Sequence, residues 1–259
     1  MFSLSSQGEI VHAVRDKLGN ILVIDYRKHR VMTFDSVFEQ SKIERERPWL
    51  PVHEYNRAML LPTAYFAPEN ALVLGLGGGV LVSGLMRLLP DIQVQAVELR
   101  PRVVEVARSH FGLPDSDRLN VFFGDARCYV EESEAGRYDL ILTDLYQANR
   151  MSPAQSQRQF IRQCSRALTD RGWLALNFHR MPDENGTLFR EIRRQFASVL
   201  VFRSKTNNYV IYGSKQMLES MKVGGGRLLE LEQRLPIGWK KLMGKLRNSI
   251  IPANCRAQD

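Results

Sequence analysis

Gly75, Gly77, Gly78 and Gly79 form a turn between the apolar run ALVLG (71–75) and the amphipathic stretch VLVSGLMRLL. Glycines there let the backbone approach a ligand closely, and a helix starting just after them offers free N–H groups and a positive dipole end. Glu98 closes the next apolar run, VQAVE (94–98). At about 20 residues from a glycine turn, a carboxylate can accept both hydroxyls of a ribose. Gly124, Asp125 and Ala126 close the third run, where an adenine edge would lie, and Asp144 closes the fourth. Four consecutive run-ends thus carry glycine or carboxylate, the pattern of a nucleoside-binding crevice at the carboxyl ends of strands. A nicotinamide dinucleotide fits it poorly, because Val80 stands where GxGxxG needs its third glycine. Taken one at a time, Asp125 and Asp144 have helix N-capping or a loop turn as the alternative reading.

Such a crevice needs strands that end together and helices that begin where they end. ALVLG, VQAVE, NVFFG (120–124), YDLILTD (138–144) and WLALNF (173–178) read as strands, with helices near 80–89, 101–111, 126–133, 153–168 and 185–196. This alternation specifies a mostly parallel sheet with helices on both faces. ASVLVFRS and NNYVIYGS read as two further strands joined by a short turn. A closing antiparallel pair of that kind marks the methyltransferase-type, Rossmann-like α/β fold, and with it a sulfonium nucleoside of the S-adenosylmethionine type as the ligand. Before Pro48, the runs EIVHAVRD, ILVIDYR and RVMTF, with a turn at Leu18-Gly19-Asn20, predict a small N-terminal β-region. A helix is expected around Tyr55 to Leu61, stopped by Pro62. The expected organisation is a β-region over 1–50, a nucleotide-binding domain over 51–221, and a basic amphipathic tail over 222–259, with Gly224-Gly225-Gly226 as a linker.

The chain has 259 residues with 44% hydrophobic composition, enough for one main core. Cys128, Cys164 and Cys255 show no CxxC spacing, which argues against a disulfide framework or a cysteine zinc site and for a reducing, cytoplasmic compartment. The N-terminus lacks the pattern of a signal peptide, and no run approaches the length of a membrane span. The net charge of +8 counts against a tight site for polycations and suits an anionic partner, nucleic acid or a membrane surface. Much of that excess lies in the tail, where Trp239, Leu242, Met243, Leu246 and Ile250 recur near helical spacing among Lys240, Lys241, Lys245 and Arg247. A stripe of that kind either lies on an acidic membrane or packs on its own domain or a dimer mate. His53, His110 and His179 lack metal-ligand spacing and read as structural or solvent-facing, so no metal is expected.

The stretches ALVLGLGGGVL, VQAVELRPRVVEVARSHFGLP, LNVFFGDARCYV and RYDLILTDLYQ, the Arg158-Gln159-Phe160 helix, and the N-terminal VMTFDSVFEQS with EYNRAML resemble the spermidine synthase family, in its shorter bacterial spermidine-synthase-like branch. The resemblance spans residues 20 to 214. It implies aminopropyl transfer from decarboxylated S-adenosylmethionine to an amine acceptor in polyamine biosynthesis, in an enzyme that is commonly a homodimer. It also implies that Gln40 contacts the nucleoside, Glu98 holds the ribose, Asp125 with Ala126 reads the adenine, and Asp144 is the catalytic carboxylate. Tyr55 and Arg57 fall at the substrate-binding Tyr-His-Glu segment, and Tyr146 flanks the acceptor pocket or packs as a loop residue.

Three acids of the family pattern are absent here. Gly78 stands in the glycine turn for an acid that would pair with the ammonium of the decarboxylated donor, Arg57 stands for a glutamate, and Gln147 for a second aspartate. An ammonium buried without a carboxylate partner is costly. Gly78 and Arg57 together suggest a site for the carboxylate of intact S-adenosylmethionine, unless Arg57 points to solvent. Two further readings stay open beside aminopropyl transfer: a methyltransferase, and a catalytically degenerate protein that binds the nucleoside or a partner.

Overall fold

The computed structural model describes residues 8–35, 39–147, 150–151, 157–218 and 223–248. Strands β1 (Glu9–Asp16), β2 (Gly19–Asp25), β3 (His29–Phe34) and β4 (Glu39–Glu44) pair antiparallel in chain order. β4, EQSKIE, escapes sequence reading because its polar residues carry little strand propensity. It is recruited by pairing with β3. One face of this sheet (Ile21, Val23, Met32, Phe34) packs on Val103, Val106 and Phe111 of the nucleotide-binding half.

The second sheet holds β5 (Asn70–Leu74), β6 (Gln93–Glu98), β7 (Leu119–Phe123), β8 (Tyr138–Thr143), β11 (Leu168–Phe178), β12 (Ser198–Arg203), β13 (Tyr209–Ser214) and β14 (Arg247–Asn248). A separate pair, β9 (Tyr146–Gln147) and β10 (Arg150–Met151), lies just after β8. The order across the large sheet is β14-β12-β13-β11-β8-β5-β6-β7. β11, β8, β5, β6 and β7 run parallel, and β13 enters antiparallel between β11 and β12. The chain leaves β5 toward β6 and β7, then returns to β8 on β5's other side. β5 and β8 are therefore neighbours at the topological switch point, where open α/β sheets bind ligands.

Helices α1 (Glu54–Met59), α2 (Val80–Leu88), α3 (Pro101–His110), α4 (Ala126–Glu132), α5 (Arg158–Ala167) and α6 (Thr187–Gln195) link these strands. α1 and α2 pack on one face of the sheet, α4 to α6 on the other. α5 begins at Arg158 rather than 153; residues 153–156 lie outside the described residues. Pro62 does not simply end α1 but opens a 3-10 turn over Leu61–Ala64, a position where its missing N–H costs nothing.

The triple glycine is not a linker. Gly224 precedes, and Gly225 begins, α7 (Gly225–Arg234), which packs with α8 (Trp239–Met243) into the same core as α1 and α2. The long amphipathic helix expected for the tail is also corrected: α8 stops at Gly244, and β14 then joins the sheet edge. Trp239 and Leu242 are buried, with Trp239 Nε1 donating to Leu235 O at 2.9 Å, so that stripe packs on its own domain. Lys240 and Lys241 stay exposed, while Ile250 lies outside the described residues. Among the described residues, no helix is long and apolar enough to cross a membrane.

Two arginines fasten the N-terminal sheet to the larger domain. Arg100, nearly buried, grips Asp16 through Nε at 2.9 Å and Nη2 at 2.8 Å, and donates to Gly19 O at 2.9 Å. Arg30 does the same with Asp25 and reaches His110 O at 2.9 Å. Removing one partner of such a pair leaves an uncompensated charge. We therefore expect Asp16→Ala to cost about 2 kcal/mol, read as a lower denaturant midpoint at unchanged slope.

Candidate active site

The glycine turn follows β5 because only a residue without Cβ fits there. Gly75 adopts φ 85°, and a Cβ on it would collide with the carbonyl oxygen of Asp144. Asp144 N–H in turn donates to Leu74 O at 2.9 Å, so the ends of β5 and β8 are locked together. Gly77 adopts φ 53°, and a Cβ there would meet Ser41 Oγ at 2.7 Å, with Gln40 O at 3.9 Å. β4 thus lays Gln40 and Ser41 against the turn, and Ser41 Oγ accepts from Gly78 N–H at 2.7 Å.

Glu98 lies half-buried across the same turn. Its Oε2 accepts from Leu76 N–H at 3.0 Å and its Oε1 from Arg100 N–H at 3.0 Å. Burial pushes its carboxyl above the ordinary range, and the N–H groups of Arg100, Leu76 and Gly77 pull it back. The N–H groups of Arg100, Leu76 and Gly77 take three of the carboxylate's roughly four acceptor sites and leave one for a ribose hydroxyl. The end of β6 also touches both neighbours, with Gly75 N–H on Val97 O at 2.9 Å and Gly124 N–H on Glu98 O at 3.0 Å. Asp125 follows as the N-cap of α4, its Oδ1 accepting from Arg127 N–H at 2.7 Å, and Ala126 is buried beside it. Gln40, the glycines, Glu98, Asp125 and Ala126 therefore lie along one row of strand ends and the β4 edge.

Asp144 sits at the switch point. Its Oδ1 accepts from Asn177 Nδ2 at 2.7 Å, and the Tyr55 side chain from α1 also hydrogen-bonds to it. Burial pushes its carboxyl up to about 6, while the bonds from Asn177 and Tyr55 act in the opposite direction. A carboxylate so placed can accept a proton near neutral pH. Tyr55 stacks on His53, whose imidazole lies 3.6 Å from Glu39 and is held below its ordinary value by burial.

Arg57 does not project into solvent: it is partly buried, its Nε donating to Pro51 O at 2.7 Å. For Tyr146 and Gln147 the side chains lie outside the described residues. Among the described residues, no group of three or more His, Cys, Asp or Glu could hold a metal ion. Sequence reasoning missed Ser41 and Asn177. Asn177 alone left a signal, a polar residue in the apolar run WLALNF.

A family model described as the spermine/spermidine synthase domain matches residues 55–225. The chain is similar to the polyamine aminopropyltransferase of Vibrio vulnificus, 24% identical over 217 residues, covering 79% of this chain and 72% of that protein. It is 32% identical to the polyamine aminopropyltransferase of Chromobacterium violaceum over 141 residues, and spans about half of that relative, 54%. An eEF1A lysine and N-terminal methyltransferase of Danio rerio is 35% identical over 119 residues, 42% of this chain and 17% of that protein. Among solved structures, a probable spermidine synthase from Corynebacterium glutamicum superposes with TM-score 0.71 at 17% identity, over 87% of both chains. A spermidine synthase in complex with the transition-state analogue AdoDATO superposes with TM-score 0.65 at 14% identity, over 88% of both. At these identities the structural likeness is one of fold.

The position of Gly78 is closed to a side chain: a Cβ would meet Phe111 Cδ1 at 2.8 Å and Ser41 Cβ at 3.0 Å. Gly78→Asp should therefore lower stability by roughly 1–3 kcal/mol in thermal unfolding. Gly224→Asp, where nothing lies within 4 Å of a Cβ and the residue precedes α7, should hold or raise it.

Proposed function

The chain belongs to the spermine/spermidine synthase family, and from that premise we propose that it transfers an aminopropyl group from decarboxylated S-adenosylmethionine to an amine. The donor lies along the ends of β5, β6 and β7 and the acceptor beside Asp144. The observation that carries this reading is the Asp144 carboxylate, held by Asn177 and Tyr55 at the switch point next to the glycine turn and Glu98.

Glu98 holds the ribose, Gln40 contacts the nucleoside, and Asp125 with Ala126 reads the adenine. A neutral amine attacks the carbon beside the sulfonium. The nitrogen lone pair forms the new N–C bond as the C–S bond breaks, the C–S pair returns to sulfur, and a thioether nucleoside leaves. Asp144 orients the amine and takes its proton, which passes on to water. With Gly78 in the turn, the donor's ammonium finds no carboxylate there, so its recognition rests on groups outside the glycine turn.

Methyl transfer and a degenerate scaffold are not favoured. The methyltransferase relative aligns with less of the chain than the aminopropyltransferase does, and a scaffold without catalysis needs no partly buried carboxylate held by two side-chain hydrogen bonds. We place the enzyme in the cytoplasm, where Cys128 and Cys164 stay free. Exposed Ile10 and Val11 on β1 offer a face for a homodimer.

Three measurements test this. In donor–acceptor assays, Asp144→Asn should lower kcat/KM by roughly 10²–10⁴, and the wild-type acid limb should fall near pH 6. Because the folded-state carboxyl is raised, Asp144 contributes stability at low pH that is lost as pH rises through about 6. Asp144→Asn should therefore match or exceed the wild-type melting temperature at pH 8 while losing activity. Calorimetric titration should find the decarboxylated donor bound more tightly than intact S-adenosylmethionine, in both native protein and Arg57→Ala. Preference for the intact form, lost in Arg57→Ala, would instead assign Arg57 to the donor carboxylate.

A further inference from the structure

We propose that Asn177 and Asn208 are positioning residues that fix the orientation of the Asp144 carboxylate through a hydrogen-bond relay of single polarity running from the β12–β13 turn. Asn177, next to last in β11, is fully buried, and Asn208 precedes β13 at 7% exposure. Asn208 Nδ2 donates to Asn177 Oδ1 at 3.1 Å, and Asn177 Nδ2 donates to Asp144 Oδ1 at 2.7 Å. An amide has a donor end and an acceptor end, so each link dictates the next. With Oδ1 of Asn177 taken up by Asn208, only the NH₂ end can face Asp144; the flipped amide would set a carbonyl oxygen against a carboxylate.

The polarity originates in the turn. Thr206 Oγ1 donates to Asn208 Oδ1 at 3.3 Å, which directs the Asn208 NH₂ group toward Asn177. Asn208 N–H is held by Ser204 Oγ at 2.9 Å, and Asn207 adopts φ 62° to close the turn. The turn is tied to α1, since Lys205 N–H donates to Glu54 Oε2 at 2.7 Å while Lys245 binds Glu54 Oε1 at 2.9 Å. Glu54 neighbours Tyr55, the other partner of Asp144, so both supports of the carboxylate hang from one anchored node.

The amides thereby favour the charged form of Asp144 without adding a charge that would compete for a cationic acceptor. Tyr55 from α1 and Asn177 from β11 are the side chains that hydrogen-bond to Asp144. Glu98 lies across the glycine turn and Glu54 with Lys205 beyond the hairpin. The inference rests on Asp144 being the proton acceptor, and its test separates the two.

The test is Asn208→Leu, a change of similar size that removes the donor fixing the Asn177 amide and adds no charge near Asp144. The freed Asn177 amide no longer has its oxygen held away from Asp144, so its NH₂ end is no longer bound to face the carboxylate. The titration of Asp144 is read directly, by infrared difference spectra against the matching Asp144→Asn protein, alongside the pH profile of kcat/KM. We expect both to move up by about one pH unit, and Asn177→Leu, which deletes the donor, to move them the same way. An Asp144 titration unmoved in Asn208→Leu, whatever happens to turnover or in Asn177→Leu, overturns the relay. Full turnover in Asp144→Asn would remove the base role instead, and the infrared titration would still decide the relay.

Discussion

The backbone contact between the ends of β5 and β8 is the constraint on which the rest of the site depends. Leu74 O accepts from Asp144 N–H, and the Cα of Gly75 lies where any side chain would strike the Asp144 carbonyl. Because β8 returns to pair with β5 after β6 and β7 have been laid on the other side, the glycine turn and the Asp144 carboxylate come from strands far apart in sequence yet adjacent in space. In the proposed transfer the donor's nucleoside and the amine meet within bond-forming distance, which this adjacency would supply. A residue with a Cβ at Gly75 would force the two strand ends apart.

Burial and hydrogen bonding compete at Asp144, and burial wins by a limited margin. A carboxyl moved from its ordinary value to about 6 carries a net cost near 3 kcal/mol for being ionised. The bonds from Asn177 and Tyr55 act against burial and keep that cost from being larger. The buried asparagines therefore have a physical reason to interrupt an apolar strand and a hairpin: each is satisfied by the next, and the chain ends on a group that needs a donor. Glu98 shows the same balance with backbone N–H groups in place of amides.

The N-terminal sheet is part of the site rather than an appendage. Arg100 and Arg30 hold it against α3, and this docking brings β4 over the glycine turn, where Ser41 satisfies the Gly78 N–H. Phe111 and Ser41 then occupy the space an acidic side chain at position 78 would need. The tail contributes similarly, since Lys245 steadies Glu54, which in turn holds both the hairpin turn and the helix carrying Tyr55.

From the sequence alone came the parallel sheet with its closing antiparallel pair, the row of strand-end residues from Gly75 to Asp144, and the family. Each is written in local pattern: apolar runs of strand length, glycines where φ is positive, a carboxylate at a strand terminus. What the tertiary structure decided has no such local signature. β4 is a strand because β3 offers it a ladder, α7 is a helix despite opening on glycines because Leu231 is buried in the core it covers, and the tail packs inward because the sheet edge and α1 receive it. Asn177 and Asn208, some 30 residues apart, acquire their role only when β11 and β13 pair and place one amide against the other. Directional hydrogen bonds between distant segments depend on relative placement, and that placement exists only once the chain has closed on itself.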